Sequence, residues 1–402
     1  MEEILNKIYE HSSYVKEAET CVTSCERSGD VYKIELADTI FFPNEGGQNA
    51  DIGKLSFDDK VVSVLDGEIV TSEAEGKRTR VVYTVSDEVA VGTKVKMILD
   101  WDMRYEHMQN HSGEHVITGI IHNTYGFNNV GFHLSDNGPV TLDIDGELSF
   151  AQVMEMEKAA NEVIYRNLSI IDKYPTKEEC SKIDYRCKID ILGQVRLIQI
   201  GDDDSPIDVC ACCAPHVKST GEIGIIKVIS VSRFKKGTQI AILCGRRALE
   251  YINHCQQTLT DIASLLTTHP DNILEIVNSY REEIGALKSE LSELREKEII
   301  DNLVKMGATE SHVIFTDLNL SPANMKNIFN ALTEHFDDYV GIFVGTKDSG
   351  YRYYAGSKTL DTSILATRMK NELDAKGGGK GVMLQGRVEA DEESIRKCFI
   401  SS

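Results

Sequence analysis

From residue 30 to about residue 100, apolar and polar positions alternate in short runs. The segments TIFF, KLSF, VVSVLDGEIV, RVVYTV and KVKMIL are separated by Gly, Asp and Asn turns. That spacing predicts a small β-barrel. After Trp101 the period becomes helical, from Asp102 to about Asn123. A strand (VTLDID), a helix from about Ser149 to Asn167, and strands at RLIQI, GIIKVISV and TQIAIL follow. This order predicts an α+β domain ending near Gly245.

The clearest period lies beyond it. Ile273, Val277, Tyr280, Ile284, Leu287, Leu291 and Leu294 alternate steps of four and three, one seam of a helix, until Glu298 breaks it. An earlier helix carrying Leu249, Ile252, Leu259 and Ile262 joins this one through TTHPDN, where Pro270 stops the first and Asp271 or Asn272 can cap the second. The pair predicts a helical hairpin or coiled-coil stalk. Its seam serves either a homodimer contact or packing of the two helices on each other.

The last hundred residues predict a separate α/β domain, with strands at HVIFTDL, VGIFVGT and YRYYAGS, helices near 322–336 and 361–375, and a glycine run, AKGGGKGVMLQGRV. That run is no phosphate-binding P-loop, because Asp374 and Gly381 stand where the motif needs Gly and Ser or Thr. The expected fold is therefore α+β overall, in four segments: 1–100, 101–245, 246–305 and 306–402.

Composition narrows the class. Hydrophobic residues make up 41% of the 402 residues and only 7 are proline, so a buried core is affordable and disorder is not expected. MEEILNKIYEHSSYVKEAE lacks the apolar core of a secretory signal, and no run is long enough to span a membrane. A cytoplasmic protein with no membrane partner is expected, and its ten cysteines then read as metal ligands or core filler rather than disulfides. A net charge of −21 opposes nucleic-acid binding in general. Two local basic groups run the other way: Lys227, Arg233, Lys235, Lys236, Arg246 and Arg247, and Lys77, Arg78 and Arg80. Each is either an RNA contact or a solvated face.

Candidate chemistry begins at His111 and His115, four apart on one helix face. Cys212 and His216 repeat that step in VCACCAPHV. Together they make a Cys-His₃ set whose softness suits one Zn²⁺ per chain. Cys210 is the alternative thiol, and Cys213, adjacent to Cys212, should point elsewhere. HSGEH also fits the H-x-x-E-H pattern of inverted zincin metallopeptidases with Glu114 as base, but the usual third carboxylate ligand is missing. Glu114 is then expected to face solvent.

FFPNEGGQNADIG, LDWDMRYEHMQNHSGEH, GFHLSDNGPVTLDI and IDVCACCAPHVKSTGEIG occur in this order. Together they resemble the editing domain of alanyl-tRNA synthetase and its free-standing AlaX-type relatives, over roughly residues 30–245. The stalk and tail look like the synthetase's tRNA-binding C-terminal domain, a combination that resembles the long form of AlaX. The resemblance implies a deacylase that removes serine, or glycine, from alanine-specific tRNA. It implies zinc on His111, His115, Cys212 and His216. It also implies an aminoacyl pocket lined by Thr39 and Gln48, with Gly46 and Gly47 letting backbone approach substrate. One departure is plain: the family commonly has C-G-G-T-H, whereas here Cys213, Ala214 and Pro215 separate Cys212 from His216. In the tail, Gly377, Gly378, Gly379 and Lys380 are candidate tRNA contacts, with Lys376 and Arg387 adding charge, or else a plain turn. A zinc module that binds tRNA or a partner protein without catalysis, and a thiol redox sensor on Cys210, Cys212 and Cys213, are the rival classes.

Overall fold

The computed structural model describes residues 6–72, 78–134, 136, 138–187, 195–303 and 312–400; Lys77 of the second basic group lies outside them. The alternating N-terminal pattern closes into a six-stranded barrel of β1 (Glu17–Ser28), β2 (Val31–Leu36), β3 (Gly53–Phe57), β4 (Lys60–Ser72), β5 (Arg78–Val85) and β6 (Lys94–Leu99). The strands neighbour one another in the order β1-β2-β5-β4-β3-β6. Val22, Ile34, Leu55, Val64, Tyr83, Val85 and Met97 fill its interior. β1 has no counterpart in the sequence reading, because only Thr20 and Val22 of its twelve residues are buried and its pattern is charged. TIFF, expected as a barrel strand, is not one. Only Thr39 of it is in a strand, where Asp38–Thr39 pairs in parallel with Asn6–Lys7. Ile40, Phe41 and Phe42 owe their apolar character to complete burial instead.

α1 (Trp101–Tyr125) follows; Asp100 caps its start by accepting from Met103 N at 3.2 Å, and Gly126, at φ 73°, ends it. β7 (Asn129–His133), β8 (Val140–Ile144), α2 (Phe150–Arg166), β9 (Ile170–Lys173), β10 (Leu197–Ile200), β11 (Asp208–Ala211), β12 (Ile226–Phe234) and β13 (Gly237–Cys244) complete the layer. They form an antiparallel sheet β12-β13-β8-β7 and a smaller one β9-β10-β11. The apolar stripes of α1 and α2 (Met108, Val116, Ile121, Val153, Val163) pack with Leu142, Ile198, Ile240 and Ile242 of these sheets in one core. α1 is unusual in burying polar residues as well: Arg104, His107, Asn110, His111, Ser112, Glu114, His115 and Thr118. Barrel and sheets belong to one compact unit, Met1–Thr258.

Arg104 ties them. Fully buried, it donates from Nε to both oxygens of Asp51 at 3.0 Å, from Nη1 to Ser13 O at 3.1 Å and from Nη2 to Ile40 O at 2.6 Å. Asp51 also accepts from Phe42 N at 2.6 Å.

α3 (Gly245–Leu265) runs into the second unit, Leu259–Ser402, which continues with α4 (Ile273–Leu303). A 3-10 turn at Pro270–Asn272, capped by the His269 side chain, precedes α4. The remaining elements are β14 (His312–Thr316), α5 (Pro322–His335), β15 (Val340–Thr346), β16 (Gly350–Gly356), α6 (Thr362–Leu373), β17 (Lys376–Gly378), β18 (Met383–Val388) and α7 (Glu392–Phe399), around a sheet ordered β14-β15-β16-β18-β17. The seam positions Val277, Tyr280, Ile284, Leu287, Leu291 and Leu294 are 45–58% exposed, so packing within the chain does not cover them.

Asp51→Ala leaves Arg104 charged, buried and uncompensated. A loss of about 3–5 kcal/mol in unfolding free energy is expected, read by urea denaturation. A loss below about 1 kcal/mol would place the pair among dispensable contacts.

Candidate metal centre

α1 presents His111 and His115 one turn apart, with ring centroids 5.4 Å apart and planes within 13°. β11 ends at Ala211 and delivers Cys212 beneath them; the short CAPH loop returns His216, whose Nε2 is 3.3 Å from Cys212 Sγ. His111 Nε2 is 3.5 Å from the same sulfur. One donor atom from each of the four residues lies within 4.8 Å of the others, and the three imidazoles are at most 4% exposed. With Cys213, Ala214 and Pro215 where the resemblance would put Gly, Gly and Thr, the loop still brings His216 Nε2 to 3.3 Å from Cys212 Sγ.

Each imidazole is steered from behind. His111 Nδ1 is 2.7 Å from Gln48 Oε1, His216 Nδ1 is 3.0 Å from Ser112 Oγ, and His115 Nδ1 is 2.8 Å from Asp208 Oδ2. An acceptor at Nδ1 fixes the N–H there and leaves Nε2 as the donor to a metal, the arrangement metal-binding histidines use. Burial opposes the Cys212 thiolate, but the facing His111 and His216 rings hold the thiol well below its usual range. Burial drives His216 down to about 3, which keeps it neutral, as a ligand must be. Burial alone would also lower His115, yet Glu114, Cys210 and Asp208 carry it well above the ordinary histidine value. Burial, then the neighbouring Cys212 and Glu45, raise the Cys213 thiol, which lies with Tyr9, Phe42 and Ala214. The buried soft donors and their outer partners fit a zinc ion.

Cys210 groups with His115 and Asp208 rather than with the four. That second group does not read as another cation site. Arg186 already occupies Asp208, from Nε to Oδ1 at 2.7 Å and from Nη2 to Oδ2 at 2.8 Å, and reaches Thr118 Oγ1 at 2.9 Å. Arg186 lies outside every motif, and Ser112 and Asp208 lie inside two of them without any spacing that pairs them with a histidine; only the fold brings the three to the imidazoles.

Gln48 is brought to the centre, and its Nε2 is buried without a hydrogen-bond partner among the described residues. Gly47, at φ 86°, lies against β7, where a Cβ would stand 2.2 Å from Phe132 O; Gly46 needs glycine only for its φ of 63°. Thr39 is fully buried, its hydroxyl 2.7 Å from Tyr83 Oη and accepting from Phe41 N at 3.1 Å. Glu114 corrects the expectation of a solvent-facing residue. It is 1% exposed, accepts from Asn129 and from Thr118 Oγ1, and has Oε2 3.6 Å from His115 Nε2. The pattern of apolar positions does not mark Glu114 as buried, because this helix buries polar side chains beside its apolar stripe.

The long basic group is largely neutralised. Lys227 pairs with Glu157 at 2.7 Å, Arg233 with Glu147 at 3.5 Å, Arg246 with Asp102 at 3.8 Å and Arg247 with Glu106 at 3.5 Å. Arg80 pairs with Glu35 at 3.0 Å. In the second unit, Gly377, Gly378, Gly379 and Lys380 are exposed at the sheet edge. A Cβ on Gly377 would lie 2.2 Å from Gln385 O, and one on Gly379 2.0 Å from Met383 O, so these glycines let the edge close on β18. Among the described residues no helix is long and apolar enough to cross a membrane.

The profile of the threonyl and alanyl tRNA synthetase second additional domain matches residues 195–239, which include Cys212 and His216. Alanyl-tRNA editing protein AlaX-L of Pyrococcus horikoshii is 27% identical over 98% of this chain and 96% of its own. Alanyl-tRNA editing protein Aarsd1-A of Xenopus laevis is 27% identical over 92% of this chain and 89% of its own. An alanine–tRNA ligase of Pyrobaculum aerophilum, also 27% identical, matches 90% of this chain but 40% of its own length. The order of motifs, the geometry of the centre and these matches point the same way: over nearly its whole length the chain is similar to alanyl-tRNA editing proteins such as AlaX-L.

Proposed function

We propose that the chain is a zinc-dependent deacylase that hydrolyses the ester between serine, or glycine, and alanine-specific tRNA. The observation that carries this is the buried Cys-His₃ centre with Gln48 at its edge, in a chain whose full-length relatives are alanyl-tRNA editing proteins. His111, His115, Cys212 and His216 would hold the ion, and zinc so bound supplies charge that polarises or templates the pocket. Hydrolysis breaks the bond between the carbonyl carbon and the ribose oxygen; water supplies hydroxide to the carbon and a proton to the ribose. Gln48 keeps its Oε1 on His111 and has Nε2 to donate to the substrate carbonyl. Burial excludes bulk water, which strengthens that single donor. The decisive measurement is hydrolysis of serine-charged against alanine-charged alanine tRNA, with and without chelator.

Metal analysis should find about one Zn²⁺ per chain. Cys212→Ala should lose both the metal and the deacylation. Asp208→Ala, which frees His115 Nδ1, should weaken zinc retention against a competing chelator by about 10–100-fold. Zinc-free protein with full activity would overturn the reading.

In this reading the buried hydroxyl pair of Thr39 and Tyr83, 2.7 Å apart, lines the aminoacyl pocket. A site built to bond the serine hydroxyl leaves a polar group unpaired when alanine enters. Thr39→Val removes only the hydroxyl, and discrimination between the two charged tRNAs should fall by about 1–3 kcal/mol. Equal rate ratios before and after would remove Thr39 from the pocket.

The second unit supplies tRNA affinity in this reading, through the exposed edge at Gly377, Gly378, Gly379 and Lys380, while the α4 seam pairs two chains into a homodimer. Lys376→Glu combined with Lys380→Glu should weaken tRNA binding with little change in the rate at saturating tRNA. Unchanged affinity at equal salt would remove the edge from the interface.

A further inference from the structure

Beside the metal loop lies a surface that the chemistry above does not use. Tyr14, Trp101 and Tyr105 form a chain of tilted rings, with centroids 5.5 Å and 5.6 Å apart. Lys16 Nζ stands 4.2 Å from the Trp101 ring centre and Lys218 Nζ 4.4 Å from that of Tyr14. Both lysines are exposed, and neither makes an ion pair among the described residues. Glu222 fixes the rings, accepting from the Tyr14 hydroxyl at 2.5 Å and the Tyr105 hydroxyl at 3.2 Å. The patch is continuous with the centre. His216 N donates to Ser13 Oγ at 3.2 Å, and Lys218 N donates to the Tyr14 hydroxyl at 3.1 Å.

In a chain of net charge −21, four of the six basic side chains near β12 and β13 are tied to carboxylates, whereas Lys16 and Lys218 stand over aromatic faces with no ion pair among the described residues. Aromatic faces flanked by cations are what unpaired nucleotides bind, their bases stacking on rings and their phosphates meeting the charges. We propose that this surface, joined to the metal loop through Ser13 and Tyr14, receives the single-stranded 3′ end of the tRNA. Bases stack on Trp101 and Tyr14, and Lys16 and Lys218 turn from the rings to the phosphates. The assignment rests on the deacylase reading, since it names where that substrate lies.

Trp101 is the chain's single tryptophan, so its emission reports on this patch alone. The probe is a hairpin RNA with an unpaired CCA 3′ end, compared with the same hairpin made blunt; binding is followed by anisotropy, and deacylation is assayed on the same preparation. The overhanging hairpin should quench Trp101 and bind more tightly than the blunt one. Lys16→Ala with Lys218→Ala should weaken its binding and lower the slope of log K against log salt by about 1.4. These two side chains are exposed, and an unchanged melting temperature would verify the fold. Overhang binding and deacylation with no change in Trp101 emission, or with an undiminished salt slope in the double variant, would overturn the assignment and leave the deacylase reading standing. Loss of both binding and deacylation in the unsubstituted protein would overturn the two together.

Discussion

A fully buried guanidinium holds this architecture in register. Arg104 takes its counter-charge from Asp51 and two further acceptors from Ser13 and Ile40, so one side chain of α1 fixes the segment before the barrel, the run entering the GGQ loop and the residue leaving it. A buried pair of this kind gives little net stability over an apolar filling, but it leaves few alternative packings that satisfy both charges. Its consequence is positional. The loop that ends at Asp51 carries Gln48 onto His111, and the segment held through Ser13 O also presents Ser13 Oγ to His216 N. The centre therefore inherits its precision from a contact that includes none of its ligands.

The polar interior of α1 follows the same logic. A helix can bury histidines, an asparagine and a glutamate only if most of their polar atoms find partners, because an orphaned polar group costs more than a bond returns. Asn110 meets Glu106 O and Cys244 N, Thr118 meets Glu114 O, and the imidazoles meet Gln48, Asp208 and Ser112. Gly113 lets the helix approach β13 closely enough for this, since a Cβ there would lie 2.3 Å from Cys244 Sγ.

What the sequence conveyed divides along the same line. The barrel, α1, α2 and the C-terminal sheet were legible because their apolar periods match their burial, and the four donors because two four-residue steps repeat. β1 was hidden by a charged, mostly exposed pattern, and Glu114 by a helix whose buried face is polar. Arg186 and Asp208 stand 22 residues apart, and Asp208 is 93 residues from His115; no local spacing encodes that meeting. A period reports what faces the core and cannot report which polar groups from distant segments share it.

Charge shows why a surface cannot be read from composition. An acidic chain and an RNA substrate conflict only if charge is spread evenly, and here it is not. The densest basic run in the sequence is largely spent on Glu157, Glu147, Asp102 and Glu106, which turns an apparent binding patch into structure. Lys16 and Lys218 are far apart in sequence and belong to no basic run, yet the fold sets both over aromatic rings beside the metal loop. If the proposed site is right, unpaired cations near the ester serve an acidic protein better than a general basic excess. The surrounding negative potential opposes nonspecific RNA binding, which depends on phosphate neutralisation, and confines favourable contacts to the few sites, such as the one proposed for the 3′ end, where cations stand free of carboxylates.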